Sequence, residues 1–196
     1  MTNNTLASTA LTGLPEVFLG LIPGWGGATI LPKLIGPERA VQVILLNALN
    51  NNTMLKAKNA LKLGVVDAVF DPADFLERSI GFAVGVLNGT TKIDRVDYSN
   101  DAAWDTALAA GKAAALKKYG GATIAAPLRA LQHIAAAKSN TLGQGFDAED
   151  QALGDLTMSD PLRSSTRKRP LPRGRPFLMG AAYREKCPGL ERAEIG

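Results

Sequence analysis

The sequence predicts a mainly α-helical fold with one or two short β-strands. Alanine is abundant while aromatic residues make up 6% of the 196 residues, a composition that favours packed helices. Several segments bounded by Gly and Pro carry apolar residues at helical spacing. Because 46% of the residues are hydrophobic and 20% are charged, the chain has the composition of a folded domain able to bury a sizeable core.

The first strongly predicted helix starts at the sequence Gly36-Pro37-Glu38. Proline at the first helical position and an acid beside it are both favourable there. An apolar stripe at helical spacing follows, formed by Ala40, Val41, Ile44, Leu45 and Ala48. A short helix over 55–63 should then end at Gly64, which suits the left-handed residue after a helix.

The sequence from residue 65 onwards predicts one strand and four helices. The strand is VVDAVF, residues 65–70, and Asp71-Pro72 should begin a helix that reaches Asn88-Gly89. Asn100 should cap an alanine-rich helix that runs to about Tyr119, and Pro127 should begin the next one. A last helix over 143–158 has the apolar residues Phe146, Ala148, Leu153 and Leu156 among acids. The acids Asp147, Glu149, Asp150 and Asp155 are interpreted as its solvated face.

Charge and composition divide the chain into three parts. Residues 1–13 are small and polar and are expected to be disordered, and residues 14–162 should fold. The last part, residues 163–196, is rich in Pro, Gly and Arg; its 9 Lys/Arg against 3 Asp/Glu give a net charge of +6. This tail is expected to be disordered, and the remaining residues have no broad basic surface for nucleic acid.

Cysteine usage indicates a reducing compartment, and hydropathy predicts no membrane span. Cys187 is the single cysteine, so no internal disulfide can form, and a cytoplasmic location is the default. No run of 18 apolar residues predicts a membrane span, and no spacing of His, Asp or Glu suggests a metal site.

The first candidate functional residue is Glu16, in the sequence LPEVFLGLIPGWGG (14–27). An acid at this position ordinarily stabilises the start of a helix. Here an apolar run follows it, and desolvation by such neighbours would raise the pKa of the carboxyl towards neutrality. A carboxyl of that kind is suited to passing protons in both directions.

Two further features have simpler interpretations by themselves. The glycine cluster that starts at Gly24 could expose backbone N–H groups to a ligand oxygen or a water, although a tight turn between close-packed backbones is the ordinary explanation. Its spacing does not match a dinucleotide-binding motif. His133 is the sole histidine and is interpreted as a surface or boundary residue, because no Ser or Cys nucleophile motif accompanies it.

Taken together, two stretches resemble the crotonase (enoyl-CoA hydratase/isomerase) superfamily. LPEVFLGLIPGWGGATILPKLIGPERA is similar to the family's second catalytic segment, and NNTMLKAKNALKLGVVDAVFDPADFLERS is similar to the stretch that follows it. The later sequence AAPLRALQHIAAAKSNTLGQGFDAEDQALGDLTMSDPLRSS resembles the last helices of the hydratase part of multifunctional fatty-acid oxidation proteins, in which a 3-hydroxyacyl-CoA dehydrogenase domain follows. The resemblance covers residues 14–164.

The resemblance implies chemistry on an acyl-CoA thioester. In this family, water adds across the double bond of a trans-2-enoyl-CoA, with two glutamates holding the water and two backbone N–H groups stabilising the enolate oxygen. Glu16 matches the glutamate that protonates the α-carbon, and Gly24 matches the glycine whose N–H helps to position the water. No cofactor is implied besides acyl-CoA as the substrate.

The other half of the family's site has no counterpart in this sequence. The first glutamate and the oxyanion hole lie in an earlier segment, so residues 14–162 are expected to form the C-terminal part of an incomplete crotonase-like (ββα superhelix) domain with impaired or no hydratase activity. A homo-oligomer or a crotonase-like partner chain could supply the missing groups. The alternatives are an acyl-CoA isomerase that uses Glu16 alone, a non-catalytic interaction module, and an inactive degenerate product.

Overall fold

The computed structural model describes residues 4–93, 95, 98–120 and 124–159. The described part is mainly helical, which confirms the predicted class. Its strands are β1 (Thr5–Ala7), β2 (Leu11–Thr12), β3 (Leu55–Lys56) and β4 (Ala68–Phe70). Its helices are α1 (Glu16–Leu19), α2 (Ile30–Ile35), α3 (Pro37–Ala40), a π-helical segment (Val41–Leu46), α4 (Asn47–Leu49), α5 (Ala57–Leu63), α6 (Phe75–Leu87), α7 (Asp101–Lys118), α8 (Ala125–Ala137) and α9 (Leu142–Thr157).

The strands form two small sheets, and both use residues near the start of the chain. Strand β1 runs parallel to β4, with Leu6 opposite Val69, and β2 runs antiparallel to β3. Asp67 anchors the beginning of β1 because its carboxylate accepts a hydrogen bond from the Asn4 N–H at 2.9 Å and pairs with Arg95. The expectation of disorder over 1–13 is therefore wrong for the residues in β1 and β2, since backbone pairing with distant strands orders a segment that has little apolar periodicity of its own.

The core is built around the continuous helical stretch formed by α3, the π-helical segment and α4. All five residues of the predicted apolar stripe are buried: Ala40, Val41, Ile44, Leu45 and Ala48. Helix α7 comes close to this stretch at Gly111, where an added Cβ would lie 2.9 Å from a Val41 methyl carbon. The stripe and its helical spacing are thus confirmed.

Local signals placed most helix ends correctly. Gly64 ends α5 in the left-handed conformation, with φ 79°, and the Asn100 side chain caps α7 by accepting from the Ala102 N–H at 3.0 Å. The predicted helix start at Asp71 is wrong, because this carboxylate accepts from the Ala73 N–H and closes a turn, and α6 begins only at Phe75. The predicted tail, 163–196, lies outside the described residues.

Helix α6 is the least covered helix of the described part. It packs on β1 and β4, and the rings of Phe82 and Phe70 meet edge to face with centroids 6.2 Å apart. Its outer side exposes large apolar side chains at Leu76, Ile80, Val84 and Leu87, which we call the α6 stripe. No helix in the described ranges is both long enough and apolar enough to span a bilayer.

Candidate functional site

Glu16 is the first residue of α1 and lies at the edge of the core. The next residue, Val17, is buried, and α1 ends after one turn at Gly20, whose φ of 92° reverses the chain. One carboxylate oxygen, Oε2, is buried and has no hydrogen-bond partner among the described residues. Burial raises the pKa of Glu16, and a hydrogen bond from its own backbone lowers the pKa to a smaller extent. The apolar surroundings expected from the sequence are present, and the catalytic role remains a prediction.

The glycine cluster forms a tight turn over residues 24–29, which we call the glycine turn. Trp25 has φ 52° and Gly26 has φ 89°, so two consecutive residues adopt the left-handed conformation. The Gly27 N–H donates to the Gly24 carbonyl oxygen at 2.9 Å and closes the turn. In the part of the chain that the structure describes, no residue accepts a hydrogen bond from the Gly24 N–H.

A buried carboxylate from α9 binds two further N–H groups of this turn. Glu149 is fully buried; its Oε2 accepts from the Gly26 N–H at 2.6 Å and its Oε1 accepts from the Ala28 N–H at 3.0 Å. The prediction that Glu149 belongs to a solvated face is therefore wrong, although Asp147, Asp150 and Asp155 are exposed as expected.

A signal for this position was present in the sequence. The buried residues of α9 are Gly145, Glu149, Ala152 and Leu156, which are spaced by four, three and four residues along one helical face. An acid in register with small and apolar residues indicates burial with polar partners. Of the residues named as apolar in the sequence, Leu156 lies on this buried face, whereas Phe146 is 37% exposed.

Helix α9 lies directly against the glycine turn. A Cβ at Gly145 would lie 2.6 Å from the Thr29 Oγ1, and a Cβ at Gly24 would lie 2.5 Å from a methyl carbon of Leu153. Thr29 itself is only 2% exposed. The absence of side chains at these two glycines is what allows the Glu149 carboxylate to reach the backbone of the turn.

An apolar cavity with a volume of about 260 Å³ opens on the other side of the turn. Gly26, Gly27 and the exposed Trp25 form one wall. The remaining described lining is mostly aliphatic and comprises Asn4, Thr12, Gly13, Leu14, Ile30, Leu31, Leu34, Val43, Leu55 and Val65. Neither Glu16 nor Gly24 belongs to this described lining, so the structure brings the turn to the cavity without placing the Glu16 carboxyl in its wall.

His133 lies on α8, half-buried near Glu149. Its desolvation lowers the pKa of the imidazole, the negative charge of Glu149 raises it, and the positive charge of Arg129 lowers it; the pKa is lowered overall. Arg129 also pairs with Asp155 of α9 at 3.0 Å. This position agrees with the interpretation of His133 as a boundary residue.

The described residues thus hold a desolvated carboxyl at Glu16, a turn whose Gly24 N–H has no acceptor among them, and an apolar cavity beside that turn. The family model described as enoyl-CoA hydratase/isomerase matches residues 4–122. The chain belongs to the enoyl-CoA hydratase/isomerase family. The match begins ten residues before the segment in which the sequence motifs were found and includes both strands near the start of the chain.

The chain is also similar to individual proteins over part of their length. The chain is 34% identical over 161 residues to the fatty acid oxidation complex subunit alpha of Idiomarina loihiensis, a match that covers 78% of this chain and 21% of that protein. A crystal structure of an enoyl-CoA hydratase/isomerase from Pseudoalteromonas atlantica aligns with a TM-score of 0.49 at 15% identity, covering 85% of this chain and 52% of that one. An enoyl-CoA hydratase from Mycobacterium avium aligns with a TM-score of 0.49 at 18% identity, covering 85% and 53%. Because the chain spans only part of the length of these relatives, any activity that they have is only proposed for this chain.

Proposed function

We propose that the chain acts on enoyl-CoA thioesters and that Glu16 transfers the proton at the α-carbon. The observation that carries this proposal is the buried, unpartnered Oε2 of Glu16 in a member of the enoyl-CoA hydratase/isomerase family. Because burial raises the pKa of this carboxyl, it holds a proton at higher pH than an exposed glutamate and can donate it to carbon.

The hydration step requires two proton movements. The water oxygen bonds to the β-carbon and gives one proton to a base. Glu16 gives its own proton to the α-carbon and is protonated again afterwards. The unengaged N–H of Gly24 is suited to donate a hydrogen bond to the water. The aliphatic cavity beside the glycine turn has the chemistry needed for an acyl chain.

The base is the group that the described residues do not supply at the glycine turn. Glu149 is the nearest candidate in the fold, but both of its carboxylate oxygens accept backbone hydrogen bonds and the side chain is fully buried. We therefore expect this chain by itself to hydrate trans-2-enoyl-CoA weakly or not at all, and a homo-oligomer or a crotonase-like partner chain to be needed for full activity.

Hydration of crotonyl-CoA by the purified chain tests the proposal. Glu16→Gln removes the carboxyl proton that would be transferred and keeps the shape of the side chain. Glu77→Gln, on the exposed side of α6, is the matched control. Any measurable activity should disappear in Glu16→Gln and persist in Glu77→Gln. Strong activity of the wild-type chain would contradict the expected impairment, and activity that survives in Glu16→Gln would exclude Glu16 as the proton donor.

Substrate binding can be measured without turnover. Trp25 is 99% exposed at the wall of the cavity, whereas Trp104 is buried. Crotonyl-CoA should change the emission of Trp25, and the change should be absent in Trp25→Phe. An equal change in the variant would place the ligand elsewhere.

Isomerisation of an enoyl-CoA is a second candidate, favoured because Glu149 is unavailable as a base. Moving the double bond from the β,γ to the α,β position needs one carboxylate, which removes a proton from the α-carbon and returns it to the γ-carbon. A 3-enoyl-CoA substrate separates the reactions: conversion to the conjugated thioester without hydration, lost in Glu16→Gln, supports isomerisation.

Association with a crotonase-like partner without catalysis is favoured by the α6 stripe. Leu76 is 71% exposed and Leu87 is 85% exposed, so this helix leaves an apolar face uncovered. Light scattering after size exclusion, with and without crotonyl-CoA, should show ligand-independent association that Leu76→Gln with Leu87→Gln abolishes. A monomer at all concentrations, both alone and mixed with a complete enoyl-CoA hydratase, would contradict this candidate.

A further inference from the structure

We propose that Glu149 is a positioning residue, which fixes the conformation of the glycine turn and thereby the direction of the Gly24 N–H. The role of Glu149 in fixing the turn is supported by the contacts of the turn alone. The consequence for catalysis rests on the function proposed above. Glu149 itself touches the backbone of the turn and does not line the described cavity.

The turn has a conformation that its own residues do not favour. Trp25 carries a bulky side chain at φ 52°, in a region that non-glycine residues rarely occupy, and its indole is exposed and gives little packing in return. A residue held in such a conformation persists only where its surroundings determine it. The two hydrogen bonds to Glu149 lie on the residues that follow Trp25, at Gly26 and Ala28.

The carboxylate in turn depends on these two donors. A fully buried carboxylate is costly unless hydrogen bonds replace its water, and each oxygen of Glu149 receives one backbone N–H. On α8, the half-buried His133 lies within range of the negative charge of Glu149. Carboxylate and turn therefore stabilise each other across the interface between α9 and residues 24–29.

The turn keeps the Gly24 N–H available to a ligand. Gly26 and Ala28 donate to Glu149 and Gly27 donates to Gly24, whereas the Gly24 N–H has no acceptor among the described residues. The Gly27 N–H holds the Gly24 carbonyl, so the three hydrogen bonds together restrict the backbone of the residue that carries the Gly24 N–H. In the proposed reaction, this N–H holds the water that adds to the β-carbon.

Amide NMR of the wild-type chain, Glu149→Gln and Asp150→Asn tests the structural part. Glutamine keeps the size of the side chain but turns an NH₂ group towards one of the two N–H donors, so it cannot accept both hydrogen bonds. The Gly26 and Ala28 amide protons should lie downfield in the wild type, move upfield in Glu149→Gln and stay in place in Asp150→Asn, whose altered side chain is exposed. Hydrogen exchange at Gly26 and Ala28 should become about tenfold faster, which corresponds to about 1.4 kcal/mol.

If Glu149→Gln fails to fold, amide exchange in the wild-type chain still tests whether Glu149 holds the turn. Gly26 and Ala28 should then exchange slowly and Gly24 quickly; equal exchange at all three amides would overturn the proposal, as would unchanged resonances in a folded Glu149→Gln. Where the wild type is active, Glu149→Gln should lower kcat about tenfold and leave KM unchanged, because the misplaced N–H acts on the reacting water. A wild-type chain without activity overturns the proposed function only, and the amide resonances still decide the role of Glu149.

Discussion

Replacing Gly145 with alanine tests the contact between α9 and the glycine turn most directly. In an exposed helix interior, glycine to alanine should stabilise the fold by about 1 kcal/mol. At Gly145, however, the new Cβ would lie 2.6 Å from the Thr29 Oγ1 and closer still to the Thr29 methyl carbon. Thr29 is buried and β-branched, so it has little freedom to move away.

The size of the effect follows from comparison with a second glycine of the same helix. Gly154 has nothing within 4 Å of an added Cβ, so Gly154→Ala should show the gain in helix propensity alone. Propensity cancels in the comparison, and what remains is the cost of overpacking, about 1–3 kcal/mol. Gly145→Ala should therefore be less stable than Gly154→Ala by that amount, and about as stable as the wild type or up to about 2 kcal/mol less stable.

Urea unfolding followed by circular dichroism measures both variants, and a double-mutant cycle shows the cause. Adding Thr29→Ala removes the atoms that the new Cβ meets, so Gly145→Ala should be better tolerated in that background, with a coupling energy of about 1 kcal/mol or more. Equal stabilisation by Gly145→Ala and Gly154→Ala, or an absence of coupling with Thr29→Ala, would show that α9 does not approach the turn as described.

Three further predictions concern buried and titrating side chains. Asp67→Asn should lower the free energy of unfolding by about 1–3 kcal/mol, because Asp67 binds Arg95 and the residue preceding β1. Urea unfolding should show this loss of stability, with Asp105→Asn at an exposed position as the control. An equal loss in both variants would contradict the prediction. Burial raises the pKa of Glu16, so the folded state binds this proton more tightly and stability falls as pH rises through that pKa; Glu16→Gln should remove this loss, and thermal unfolding at neutral pH should find the variant no less stable than the wild type. The pKa of His133 is lowered from 6.5, so the unfolded chain binds the proton first and stability falls as pH drops below about 6.5; His133→Gln should flatten that part of the pH profile, and an unchanged slope would contradict the assignment.

Much of the helical framework could be predicted from local sequence. The apolar stripe from Ala40 to Ala48 is buried as its spacing indicates, Gly64 ends α5 and Asn100 caps α7. These features depend on side chains within a few residues of one another, so periodicity and capping rules are sufficient to find them. The start of α6 was missed because the side chain of Asp71 stabilises a turn as readily as a helix start.

Long-range pairing decided the features that the sequence did not predict. Residues 5–7 form a strand because β4, more than sixty residues later, supplies its hydrogen-bond partners. No property of residues 1–13 taken alone indicates that pairing. In the same way, the exposure of the α6 stripe depends on which elements pack against the helix and not on its own amphipathic pattern.

The sequence by itself determined the family-typical segment, the position of Glu16 before an apolar run and the glycine turn that follows it. Only the tertiary structure decided that Glu149, 123 residues after Gly26, is buried and binds the backbone of that turn. The physical reason is that the fate of a carboxylate in an amphipathic helix depends on what lies opposite it: water leaves it solvated, whereas two unpaired backbone donors make its burial favourable. Those donors come from a different part of the chain, so local spacing could place Glu149 on a helical face but could not say what that face meets.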